Sequence, residues 1–140
     1  MKNTIRSPWK AIWALPLLLV LFLVGCVGPW SQVQQQPSRL EHVTTANFEE
    51  RVLKCDRPVL VDFYADWCGP CQKLGPVLDD FADEHPEIRV VKVNVDENRD
   101  LVGRYGVNGF PTLLVIRDGK VTGESVGLVA KQTLVELTAR

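Results

Sequence analysis

Two cysteines separated by two residues, Cys68 and Cys71, have a spacing that can support covalent chemistry. Thiols this close can form a disulfide and open it again by exchange with other thiols. An apolar run, Val59–Tyr64, precedes the pair and predicts a strand covered on both faces. Gln72–Glu84 follows with apolar residues at helical spacing. The sequence therefore predicts that the cysteines lie where a buried strand leads into a helix.

This placement gives the two sulfurs different expected roles. Unpaired N–H groups and the helix dipole favour an anion at a helix N-terminus, so Cys68 is expected to be exposed and partly thiolate. Cys71, one turn further along, is expected to be more shielded. Gly69 and Pro70 between them suit a tight turn into the first helical turn.

A carboxylate stands inside the otherwise apolar strand. Burial should raise the pKa of Asp62, as a base working near neutral pH requires, and Asp62 is the candidate acceptor for the Cys71 proton. The alternative is a structural carboxylate paired with Lys92.

The segment Val59–Pro76, with W-C-G-P-C after a V-D-F strand, resembles the active site of thioredoxins. The resemblance covers roughly Leu40 to Arg140. It includes the third strand, the cis-proline loop and the next hairpin turn of that family, matched here by Val91–Asp96, Gly109–Thr112 and Asp118–Gly119. Tyr64 departs from the pattern, because many thioredoxins have tryptophan there.

The resemblance implies an α/β thioredoxin fold over residues 39–140, with a mixed central β-sheet flanked by helices on both faces. The patterning agrees and predicts the order β-α-β-α-β-α-β-β-α. Predicted strands are Leu40–Val43, Val59–Tyr64, Ile88–Asn94, Thr112–Ile116 and Val121–Val126. Predicted helices run from a Thr44 or Thr45 cap to Lys54, then over Gln72–Glu84, Asn98–Tyr105 and Lys131–Ala139.

The resemblance also implies roles for individual residues. Cys68 would attack a protein disulfide and Cys71 would resolve the mixed disulfide, leaving a Cys68–Cys71 bond, while Lys92 would assist Asp62 in proton management. Pro111 would be cis. The expected substrate-binding residues are Trp67, Gly69, Pro70, Gly109, Phe110, Pro111 and Gly127. No cofactor is expected, and the expected substrates are disulfide-containing proteins.

Three functions remain open at this point. The Gly-Pro dipeptide between the cysteines resembles that of reducing thioredoxins, which favours a protein disulfide reductase. An oxidase or isomerase would run the same chemistry in the other direction. A redox-independent binding module would need neither cysteine, but Cys68, Cys71, Asp62 and Pro111 together favour an enzyme.

The N-terminal segment predicts export. Residues 1–25 combine three cations with the apolar run Ala11–Val24, and Leu23-Val24-Gly25-Cys26 resembles the lipobox of bacterial lipoproteins. Cleavage before Cys26 would leave that residue lipidated, with residues 26–38 as lipidation site and linker. The alternative is an uncleaved N-terminal membrane anchor. Either way the domain is expected outside the cytoplasm, periplasm-facing in a Gram-negative cell, with a membrane-embedded electron donor.

Composition narrows the possible functions of the chain. The formal net charge is −1, and removing Lys2, Arg6 and Lys10 leaves 13 basic (16 − 3) against 17 acidic side chains, so no nucleic-acid partner is expected. The four cysteines do not form a disulfide framework, and His42 and His85 stand apart, so no metal site is expected. Cys55 is either an additional redox cysteine or a small apolar residue.

Overall fold

The structure, a computed structural model, describes residues 39–139. The predicted signal segment, the predicted lipidation site Cys26 and the predicted linker up to residue 38 all lie outside the described residues. Among residues 39–139, no helix is both long enough and apolar enough to cross a bilayer.

Five strands form one sheet in the order β1-β3-β2-β4-β5. They are β1 (Glu41–His42), β2 (Val59–Tyr64), β3 (Arg89–Asn94), β4 (Thr112–Arg117) and β5 (Lys120–Val126). β3 is parallel to both β1 and β2, whereas β4 is antiparallel to β2 and β5. The predicted mixed sheet is thus confirmed, with β2 at its centre.

Helices cover both faces of this sheet. α1 (Gly69–Glu84) and α3 (Lys131–Thr138) share one face, and α2 (Arg99–Tyr105) and a π-helical turn (Glu49–Leu53) share the other. Alternate residues of β2 serve the two cores, with Leu60 in the first and Val61 and Phe63 in the second. This arrangement explains why every residue of β2 is buried.

The active-site helix begins earlier than predicted. α1 starts at Gly69, three residues before Gln72, because Pro70 fits its first turn and Cys68 caps it. Leu74, Leu78 and Phe81 are fully buried on its inner face. Pro76 lies inside the helix as predicted.

The predicted first helix, from a Thr44 or Thr45 cap to Lys54, is wrong in its extent. Thr44 N–H donates to Asn47 Oδ1 at 2.8 Å and Thr45 N–H to Asn98 Oδ1 at 2.7 Å, so neither threonine caps the element. These bonds hold residues 45–47 in a turn, and the π-helical turn spans only Glu49–Leu53.

The predicted hairpin turn between β4 and β5 is confirmed. Asp118 and Gly119 have φ values of 49° and 71°, the left-handed pair that a two-residue turn with D-G favours. The register shifts between Val115 and Ile116, which marks a bulge in this hairpin. Elsewhere strand and helix ends differ from prediction by one or two residues, as at β1, which lacks Leu40 and Val43.

Replacing Leu78 with alanine should lower the free energy of unfolding by about 2–5 kcal/mol, because the side chain is fully buried between α1 and the sheet. Urea unfolding of the oxidised protein measures this change. Leu128→Ala is the control, since Leu128 is 51% exposed and its loss should cost less than about 0.5 kcal/mol. Equal losses in both variants would contradict the core assignment.

Candidate active site

The paired cysteines form a disulfide at the head of α1. Cys68 Sγ and Cys71 Sγ are 2.08 Å apart, and Cys68 is the N-cap residue of the helix. The backbone N–H of Cys71 donates to Cys68 Sγ at 3.2 Å. A thiolate at Cys68 would receive the same hydrogen bond in its stronger charge-assisted form, together with the favourable end of the helix dipole.

The expected exposure of Cys68 is wrong for this oxidised form. Cys68 is 5% exposed and Cys71 2%, and both belong to the core cluster beneath α2. The reason is the cap itself, which turns the Cys68 side chain back towards the N–H of Cys71 instead of outwards. The predicted ranking of the two residues nevertheless holds, since Cys68 is the more accessible.

An exposed aromatic surface lies beside the disulfide. Trp67 is 67% exposed, and its ring meets that of Phe110 edge-on with centroids 5.9 Å apart. Trp67 Nε1–H donates to Asp96 Oδ2 at 2.9 Å. The indole is therefore fixed at its nitrogen while most of its surface remains exposed. Gly69 and Pro70, also exposed, continue this surface into the first turn of α1.

The loop before β4 supplies the other side of the site. The Phe110–Pro111 bond is cis, as predicted. Phe110 packs against the cluster that contains both half-cystines, and Pro111 O accepts from the N–H of Gly127 at 2.7 Å. Gly127 has φ 92°, a conformation in which glycine is favoured. A Cβ on Gly109 would come within 3.1 Å of Val126 Cγ1, so this loop is closely packed on β5.

Asp62 is a fully buried carboxyl in the middle of β2. Burial raises its pKa from 3.8 to about 7, and the charge of Lys92 offsets part of this rise. Neither carboxyl oxygen has a hydrogen-bond partner within residues 39–139. The predicted rise in pKa is therefore confirmed, and its main cause is desolvation.

Lys92 is placed beside Asp62 but not bonded to it. The two residues are register partners on β3 and β2. Lys92 Nζ lies instead over the ring of Tyr64, 4.1 Å from its centroid. The alternative of a direct Asp62–Lys92 ion pair is thus wrong for this structure, because the ammonium is held by an aromatic face.

Sequence reasoning missed the polar residues that anchor the loop after β2. Asp96 holds the Trp67 indole, Asn94 Nδ2 donates to Asp66 Oδ2 at 3.2 Å, and Gln72 Nε2 donates to Asp66 O at 2.7 Å. A signal existed for Asp96 and Asn94. Asn94 is the last residue of β3, and Asp96 follows it. Because β2 and β3 are parallel, their carboxyl ends lie side by side, and the loop that carries Cys68 starts at the end of β2.

The remaining cysteine lies outside this site. Cys55 is a free thiol, half-buried after the π-helical turn, and packs against the core. Within the described residues, no three His, Cys, Asp or Glu side chains are grouped so as to hold a metal ion.

Comparisons with known proteins agree on one family. A family model described as thioredoxin matches residues 39–140. The thioredoxin of Pseudomonas aeruginosa is 50% identical over 94 residues, covering 66% of this chain and 87% of the relative. The thioredoxin of Allochromatium vinosum is 49% identical over 94 residues, with 66% and 88% covered. That of Chlorobaculum thiosulfatiphilum is 44% identical over 94 residues, with 66% and 87% covered.

The raised pKa of Asp62 predicts a stability that falls with pH. Between pH 3.8 and about 7 the folded protein keeps a proton that the unfolded chain has lost. The free energy of unfolding should therefore fall as pH rises through this window, by up to on the order of 4 kcal/mol. Asp62→Asn should remove the part of the fall in unfolding free energy that comes from Asp62. Urea unfolding of the oxidised protein at pH 4.5 and pH 8 measures this change.

Asp80→Asn is the matched control, because Asp80 is exposed on α1 and its removal should leave the pH dependence as in the parent protein. Parallel stability–pH curves for the parent and Asp62→Asn would show that Asp62 has an ordinary pKa.

Proposed function

The chain belongs to the thioredoxin family, and from this premise we propose that it is a protein disulfide reductase held at a membrane outside the cytoplasm. The family and the Cys68–Cys71 pair make it a thiol–disulfide oxidoreductase. The observation that carries this exchange chemistry is the N–H of Cys71 directed at Cys68 Sγ, because the same hydrogen bond would stabilise the attacking Cys68 thiolate once the disulfide is reduced.

The first step is attack by the Cys68 thiolate on one sulfur of a substrate disulfide. A bond forms between Cys68 Sγ and that sulfur, the substrate S–S bond breaks, and the other substrate sulfur leaves as a thiolate. Trp67, Phe110 and the Gly109–Pro111 loop are the surface against which the substrate chain would lie.

The second step needs a thiolate at Cys71. Asp62, with a pKa of about 7, is the proposed acceptor of the Cys71 proton, because a base is most useful when its pKa is near the working pH. Cys71 Sγ then attacks Cys68 Sγ, and the second substrate sulfur leaves. The substrate gains two electrons and the protein ends as the disulfide seen in the structure.

The proposed direction rests on resemblance of the Gly69-Pro70 pair to that of reducing thioredoxins. The equilibrium potential of the Cys68/Cys71 couple against glutathione tests it. A value near −270 mV, typical of thioredoxin, is expected, whereas one near −120 mV would indicate an oxidant. Outside the cytoplasm, continued turnover requires a membrane protein that passes electrons across the bilayer to this disulfide.

The location is supported by the sequence before residue 39. The cationic start, the apolar run Ala11–Val24 and the lipobox-like Leu23–Cys26 favour export, cleavage and lipidation of Cys26. The linker of residues 28–38 spans at most about 35–40 Å when extended, so the site would stay close to the bilayer.

Replacing Cys71 with serine should trap substrates covalently, because the mixed disulfide at Cys68 then has no resolving thiol. Non-reducing electrophoresis of the purified variant after reaction with a disulfide-bonded protein such as insulin should show adducts that dithiothreitol releases. Cys55→Ser is the matched control and should form none. Absence of adducts from Cys71→Ser, with partner binding retained when both cysteines are replaced, would favour a binding module.

Replacing Cys26 with serine should abolish lipidation and cleavage, so the mature protein should keep residues 1–25. Intact-mass spectrometry of the membrane fraction from the producing bacterium measures both changes. An uncleaved anchor would give the full-length mass in the parent and the variant alike, which would contradict the lipoprotein proposal.

A further inference from the structure

A row of polar side chains crosses three neighbouring strands. His42 on β1 is the register partner of Lys92 on β3, and Lys92 is the partner of Asp62 on β2. Register partners in adjacent strands project from the same face of a sheet. The row therefore leads from the exposed His42 to the buried Asp62.

Tyr64 contacts two members of this row. It lies two residues after Asp62 and so shares its face. The Lys92 ammonium is 4.1 Å from the centre of the Tyr64 ring, and Tyr64 Oη is 3.1 Å from His42 Nδ1. The His42 and Tyr64 rings also meet edge-on, with centroids 5.7 Å apart. The hydroxyl is thus held at the sheet edge, and the ring face is turned towards Lys92.

The same contacts explain why the Asp62 carboxyl is left alone. Lys92 is the charged group that faces Asp62 within the described residues, and its ammonium is engaged by the ring. The other charges near Tyr64, on Asp66 and Glu97, lie towards the carboxyl ends of β2 and β3. No described group donates a hydrogen bond to either oxygen of Asp62.

We propose that Tyr64 is a positioning residue, whose ring holds the Lys92 ammonium away from the Asp62 carboxyl so that Asp62 can exchange a proton with the resolving thiol. An ammonium in direct contact would keep the carboxylate ionised and make it a poor base. A cation held over the ring leaves an attraction that is weaker than an ion pair. This inference rests on the proposed role of Asp62 as the proton acceptor.

The test is the titration of the Asp62 carboxyl, followed by carbon-13 NMR of the full-length oxidised protein in detergent. Tyr64→Leu removes the ring face and should let Lys92 approach Asp62, lowering the titration midpoint by about 1 pH unit or more. In a Lys92→Met background the same Tyr64→Leu change should leave the midpoint unmoved, because no ammonium remains to approach. A midpoint unmoved by Tyr64→Leu alone, or a shift that persists without Lys92, would overturn the proposal.

Two further variants separate the ring from general packing. Tyr64→Phe keeps the ring face and should titrate close to the parent, so a midpoint as low as that of the leucine variant would contradict a role for the ring. Tyr105→Leu is the matched control, because Tyr105 is the other tyrosine of the chain, half-buried, with its ring packed against those of Phe48 and Phe63. Its midpoint should equal that of the parent, and a shift like that of Tyr64→Leu would favour a general packing effect.

A measurement on the parent protein keeps the proposal testable if Tyr64→Leu does not fold. The ε-methylene protons of Lys92 should resonate upfield of those of the exposed Lys73, because the nitrogen next to them lies over the Tyr64 ring, whose face shields nearby protons. Coincident resonances would overturn the proposal. Neither measurement depends on turnover. A failure to reduce disulfides would refute the proposed function, but the role of Tyr64 would still be decided by these NMR measurements alone.

Discussion

The covering of β2 on both faces is the constraint on which the rest of this structure depends. A strand enclosed in this way has no solvent for a charged side chain, so Asp62 is desolvated simply by its place in the chain. The same enclosure fixes the end of the strand, so that residues 65–68 deliver a sulfur to the first turn of α1. The packing of β2 therefore determines both the burial of Asp62, the proposed base, and the position of Cys68, the proposed nucleophile.

Cys68 and Asp62 need opposite electrostatic environments, although they are only six positions apart in the sequence. Cys68 lies where backbone N–H groups favour negative charge, whereas Asp62 lies where burial disfavours it. A single fold can supply both environments because the helix terminus and the strand interior are adjacent but differ in polar content. The aromatic surface of Trp67 and Phe110, where we propose that the substrate chain lies, adds no charge to the site.

Most of the fold and the central chemistry followed from the sequence, because periodicity and the C-x-x-C spacing are local signals. β2 and α1 were predicted on that basis, and the Asp118-Gly119 turn from the resemblance to thioredoxins. The π-helical turn was not, because its start depends on bonds from Thr45 to Asn98, 53 residues away. The Trp67–Asp96 bond and the Tyr64–Lys92 contact were missed for the same reason, since each joins a side chain to a group whose position only the assembled molecule defines. The burial of Cys68 was missed because its side chain turns back towards the N–H of Cys71.

The edge of the sheet matters if the chain is tethered to a bilayer, as we propose. β5 is a boundary strand seven residues long, and such strands can recruit a second chain by backbone hydrogen bonding. Confinement to a surface raises the local concentration of identical copies, and with it the chance that two edge strands pair. Lys120 and Glu124 place opposite charges along the strand, and the bulge opposite Val115 and Ile116 twists it out of line. These features would keep crowded neighbours as separate molecules, each with its reactive face free.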